Sequence, residues 1–135
     1  MSTGEGLLGR AGGWRVLGLV LLLAGCQRET ERNAALITGG DPNLGNAAIA
    51  RYGCGSCHAI PGVPGATATV GPSLQALGLR TFLTGRLPNT PENLMRWVRH
   101  PQAVEPGTAM PDMNVPRLAA ADIDAYLESL HAASD

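Results

Sequence analysis

From residue 41 onward, apolar positions recur at helical spacing in three stretches and nowhere alternate long enough to make a convincing strand. The first stretch is Leu44, Ala47, Ala48, Ile49 and Tyr52. It follows Asp41-Pro42, an N-cap residue and a proline suited to the first helical position, and Gly53 closes it. Thr90-Pro91-Glu92 repeats that start before Leu94, Met95, Trp97 and Val98. This second helix is predicted to stop near His100, because Pro101 disfavours helical backbone in the residue before it. Ala120, Ile123, Tyr126, Leu127 and Leu130 mark one face of a last helix. Asp122 and Asp124 lie nearer its start, with the macrodipole. A short helix is predicted over 73–79, and 59–71 is rich in Gly, Pro, Ala and Thr and reads as loop. Gly45 is small enough to let two helices cross closely, although a glycine in a helix also simply weakens it. The pattern predicts an all-α domain.

A different pattern stands at the N-terminus. Arg10 and Arg15 make a basic region, and 16–23 is an apolar run too short to cross a bilayer. The following Leu23-Ala24-Gly25-Cys26 resembles the bacterial lipobox. That resemblance implies cleavage before Cys26 and acylation of the new terminus; the alternative is an ordinary cleaved signal with Cys26 left as a thiol. More than one acyl chain suffices for stable anchoring. The expected organisation is a lipoprotein signal peptide over 1–25, a lipidated flexible tether over 26–40 and a single domain over 41–135. The protein is then lipid-anchored outside the cytoplasmic membrane, facing the periplasm. As a flexible coil of roughly 14 residues, the tether reaches on the order of 20 Å.

Composition narrows the picture. All ten basic residues are arginine, against eleven acids, and no basic patch is visible, so nucleic acid is not an expected partner. Five aromatic residues (two Trp, two Tyr, one Phe) are few for a core of this size. A large apolar cofactor filling part of the interior accounts for the shortfall.

The chemistry lies in Cys54-Gly55-Ser56-Cys57-His58. C-x-x-C-H is the attachment spacing of c-type haem: the thiols form thioethers with the vinyl groups, and the histidine becomes the proximal iron ligand. A zinc site lacks further cysteines, since Cys26 is assigned elsewhere. A thioredoxin-like pair lacks its β-α-β surroundings. Met110 and Met113 share a loop from which a thioether can reach the iron as second axial ligand, whereas Met95 falls on a predicted helix and reads as core filling.

The terminal helices, the haem run after the first of them and the Gly/Pro-rich middle resemble class I cytochrome c. The runs Arg86-Leu87-Pro88-Asn89-Thr90-Pro91-Glu92-Asn93-Leu94, Arg96-Trp97, Pro101-Gln102-Ala103-Val104, Pro106-Gly107-Thr108 and Met110-Pro111 are similar to the cytochrome c domain fused to subunit II of some haem-copper oxidases. The resemblance covers about 48–130. It implies crossed terminal helices around one covalent haem c, bringing Gly45 and Tyr52 towards Tyr126. It implies Met110, the methionine followed by proline, as iron ligand, with Met113 in a shielding or packing role. Gly71-Pro72 corresponds to the family's Gly-Pro, whose proline carbonyl accepts the second ring N–H of His58. Trp97 corresponds to a tryptophan that donates to a haem propionate; Arg80 and Arg86 are both candidates to pair with one. Pro116 departs from the family's Ser or Thr cap before the last helix, and His100 stands where an acid is common and is a rival ligand.

These readings predict a one-electron carrier rather than an enzyme. It would take electrons from a quinol-oxidising complex or a dehydrogenase and pass them to a terminal oxidase. The alternatives are a gas- or peroxide-reactive haem protein, if the sixth position opens, or a fixed haem subunit of a larger redox complex.

Overall fold

The computed structural model describes residues 28–131; the expected signal peptide and Cys26 lie outside them. The chain divides into two units, Met1–Thr30 and Glu31–Asp135, and the second holds nearly all the described residues. The helices are α1 (28–38), α2 (Pro42–Arg51), α3 (Pro91–Arg99), α4 (Pro101–Val104) and α5 (Arg117–Glu128). Single 3₁₀ turns stand at Cys54–Ser56 and Leu77–Leu79. Two isolated bridges, Ala59 with Thr67 and Phe82 with Pro88, are the only β pairing among the described residues.

The helix starts follow local chemistry. Asp41 caps α2 by accepting from the Asn43 N–H at 2.8 Å, with Pro42 in the first turn. Thr90 caps α3 by accepting from the Asn93 N–H at 3.3 Å. α3 stops at Arg99 before Pro101, and that proline then opens the short α4. The turn of helix expected over 73–79 contracts to Leu77–Leu79. α5 begins after Pro116 with no side-chain cap.

The expected flexible tether takes another form: residues 28–38 are helical. Glu29, Glu31, Arg32, Ala34, Ala35 and Leu36 are all good helix formers, and their mixed charge hides that propensity. The Thr38 hydroxyl donates to the Ala34 carbonyl at 2.9 Å, and the Gly39 N–H closes the end on Ala35 at 2.9 Å. Ala34 and Thr38 are buried, while Leu36 and Ile37 are exposed.

The core joins Ile49 of α2, Leu94 and Val98 of α3, and Ala120, Ile123 and Leu127 of α5, with Ile60, Val63, Leu77 and Val115 from the connections. α2 and α5 cross at Gly45. A Cβ there would collide with the Asp122 carbonyl oxygen and stand 2.8 Å from Tyr126 Cβ. The crossing is tied beside the glycine by Asp122 Oδ1, which accepts from the Asp41 N–H at 2.9 Å, and by the Tyr126 hydroxyl, which donates to the Pro61 carbonyl at 2.6 Å. Gly45→Ala gains about 1 kcal/mol of helix propensity. It costs more than that, because the clash is with backbone and no rotamer relieves it. The expected net loss is about 2 kcal/mol, read from urea unfolding; an unchanged or raised midpoint would disprove the close crossing.

The candidate haem-attachment site

Gly53 turns the chain out of α2, and the next three residues form the 3₁₀ turn. The Cys54 carbonyl accepts from both the Cys57 N–H (3.2 Å) and the His58 N–H (3.1 Å). Two cysteines and a histidine thus stand on one turn, all partly buried, and the two thiols are unpaired. The Ser56 hydroxyl donates to the Gly53 carbonyl at 2.7 Å and lies 3.8 Å from Cys57 Sγ. Burial pushes the Cys54 thiol up, with the neighbouring Cys57 acting the same way and a backbone hydrogen bond opposing.

The imidazole of His58 is fixed from two sides. Its Nδ1 lies 2.7 Å from the Pro72 carbonyl. A carbonyl only accepts, so Nδ1 carries the proton and Nε2 presents its lone pair. The ring lies on Gly71, where a Cβ would stand 2.5 Å from His58 Cε1 and 2.8 Å from Nδ1. Gly71 is held in turn by its N–H to the Cys57 carbonyl at 2.7 Å, so the Gly71-Pro72 segment is laced to the cysteine turn. The donor set suits a covalent haem: two reduced thiols at one turn, an imidazole with one nitrogen oriented and the other free, and a bare glycine face where a side chain would displace the ring.

Trp97 projects from α3 and packs, half-buried, against the apolar core. Its indole N–H has no hydrogen bond among the described residues. Met110 is partly buried in the loop between α4 and α5. Met113 and Met95 pack against the apolar core, and Met110 does not belong to that cluster. The structure therefore joins Cys54, Cys57, His58 and Pro72 through hydrogen bonds and places Trp97 and Met110 on separate elements. His100 is exposed at the junction of α3 and α4. Arg80 donates to the carbonyls of Ser73 and Gln75 and staples its own connection, and Arg86 is exposed.

Two residues carry more than sequence reading assigned them. Gln102 in α4 makes three hydrogen bonds to the Met110 loop. Asp124 is fully buried in α5, and neither carboxyl oxygen has a partner among the described residues. Helical spacing held the signal for the second: Asp124 lies four residues after Ala120 and three before Leu127, on the buried face.

Over 91 residues the chain is 35% identical to cytochrome c oxidase subunit 2 of Alkalihalophilus pseudofirmus. The match takes in 65% of this chain and 25% of that protein, so the chain spans about a quarter of the relative's length. No protein-family model and no solved structure matches the chain.

Proposed function

We propose that the protein is a mono-haem c-type cytochrome of class I fold that carries single electrons in a respiratory chain. The observation that carries this reading is the C-x-x-C-H turn, with His58 Nδ1 bonded to the Pro72 carbonyl and Nε2 left free. The similarity to a subunit of cytochrome c oxidase supports the respiratory setting. Haem supplies a one-electron iron couple. Cys54 and Cys57 would hold it by thioether bonds and His58 Nε2 would ligate the iron, while the Pro72 carbonyl fixes the tautomer and raises the basicity of the ring. Met110 would supply a sulfur ligand, which favours low-spin iron and a raised potential. An iron held by both His58 and Met110 would suit a carrier rather than an enzyme. Trp97 would donate its indole N–H to a propionate.

The exchange surface lies beside the cysteine turn. A shallow groove of about 370 Å³ there is lined by Ala59, Pro61, Gly62 and Thr67 among others, small and mostly apolar. Such a surface suits the small contacts of transient redox encounters. The acceptor is a terminal oxidase, and the donor a quinol-oxidising complex or a dehydrogenase. No helix among the described residues is long and apolar enough to cross a membrane. The attachment in this reading is lipid on Cys26, on the strength of the lipobox-like Leu23-Ala24-Gly25-Cys26.

The experiment is stopped-flow mixing of the reduced haem-loaded protein with purified terminal oxidase under oxygen. The reading predicts oxidation of the cytochrome coupled to oxygen consumption and slowed when charge or bulk is placed in the groove, as in Thr67→Arg. A protein that exchanges electrons with small mediators but is never oxidised by any oxidase of its host would refute the assigned acceptor.

A further inference from the structure

Among the described residues, Arg99 Nε donates to the Val115 carbonyl at the far end of the loop between α4 and α5, and the segment around Met110 is held from outside by Gln102. Gln102 is the second residue of α4, directly after the buried Pro101. Its Nε2 donates to the Thr108 carbonyl at 2.7 Å and to the Met110 carbonyl at 2.9 Å, and its Oε1 accepts from the Gly107 N–H at 3.3 Å. A primary amide offers two donors and an acceptor on one planar head. All three functions are used, on three backbone groups within four residues.

Within the loop itself the restraints are fewer. The Thr108 N–H bonds the Glu105 carbonyl at 3.1 Å across Pro106-Gly107, and Gly107 takes φ +84°. That is a β-turn with the residues it demands. Beyond the turn, the Met110 N–H reaches only the Thr108 hydroxyl, at a long 3.5 Å. The turn fixes 105–108, and Gln102 fixes where Met110 stands relative to α4.

We infer that Gln102 is the positioning residue for the axial methionine: its amide holds Met110 at the iron against detachment of the loop. This rests on the reading of Met110 as the second ligand. No other residue type reproduces the bracket. A glutamate keeps the acceptor for Gly107 but turns oxygen towards two carbonyls, and a methionine fills the space with no hydrogen bond.

The test uses the haem-loaded protein as wild type, Gln102→Met and Gln102→Glu. Three quantities are read: the near-infrared sulfur-to-iron band of the ferric form against temperature, helix content against temperature, and the rate of carbon monoxide uptake by the ferrous form. Loss of two or three net hydrogen bonds raises the detached population by about tenfold or more. Carbon monoxide uptake is therefore expected to rise about tenfold in both variants, and the band to vanish well below the temperature at which the helices melt. A residue that only stabilised the fold would move band and helix melting together and leave uptake unchanged; that result, or a band and rate matching wild type in both variants, overturns the inference. A wild type without the band overturns the assignment of Met110, and the inference with it.

Discussion

Met110→Ala is expected to abolish the sulfur-to-iron band of the ferric protein and to lower its midpoint potential by on the order of 100 mV, a modest part of the roughly 0.8 V over which axial ligands tune haem. Met113→Ala is expected to keep the band and to cost about 1–2 kcal/mol of stability instead. The contrast follows from where the two side chains stand. Met113 packs against the apolar core, so truncation leaves a void there. Met110 is absent from that cluster, its carbonyl is bracketed by Gln102, and Pro111 follows it. Absorption spectra and redox titration of the two variants side by side decide the matter. If Met113→Ala lost the band and Met110→Ala kept it, the ligand assignment would be reversed.

Stability is expected to fall steadily from pH 4 to pH 8, and Asp124→Asn to remove most of that fall. Asp124 is entirely shielded from solvent, and neither carboxyl oxygen has a hydrogen bond among the described residues. Burial, with the charge of Glu128 one turn away adding to it, pushes its pKa from 3.8 up to about 8. The folded chain therefore keeps a proton that the unfolded chain releases above about 4. This contribution to stability is complete below pH 4, declines by up to about 1.4 kcal/mol per pH unit and is gone above pH 8. Glu128, also raised by burial, adds in the same direction, opposed by its hydrogen bond to Asn89 and by His131. Asp124→Asn cannot ionise, so at pH 8 it is expected to exceed wild type by about 3 kcal/mol. That is less than the roughly 6 kcal/mol of the full shift, because the amide remains buried without assured partners. Urea unfolding of the haem-loaded protein at pH 4.5, 6 and 8 measures it. A wild type whose stability rises between pH 4.5 and 8 would show that Asp124 is ionised and paired in the folded state.

The burial of Asp124 sets residue type against helical spacing: its position falls on the buried face, and its charge argues for solvent. An aspartate early in a helix is ordinarily a solvated partner of the macrodipole, and Asp122, two residues earlier, does stay near the surface and ties down Asp41. Local rules succeed where the deciding partners are local. The caps at Asp41 and Thr90 each bond an N–H two or three residues on, and Pro101 ends α3 through its own neighbour. Gly45 is ambiguous in sequence, and the carbonyl of Asp122 resolves it as a crossing point. The helix over 28–38 shows the reverse case, where polar composition conceals strong helix formers. At the site, the cysteine turn is legible because C-x-x-C-H is a local spacing, whereas the partner of His58, fourteen residues on, is expected only through the resemblance of Gly71-Pro72 to a family motif. Gln102 is not, since its three partners lie five to eight residues away in a loop whose course no periodicity dictates.

Covalent haem on Cys54 and Cys57 is tested most directly by haem retention after denaturation and acid–acetone extraction, beside a Cys54→Ser/Cys57→Ser double variant. The expected result is one haem per chain that survives extraction in the wild type, with a low-spin spectrum, and none in the double variant. A wild type expressed with a working haem-attachment system that yields no haem, or only extractable haem, would contradict it.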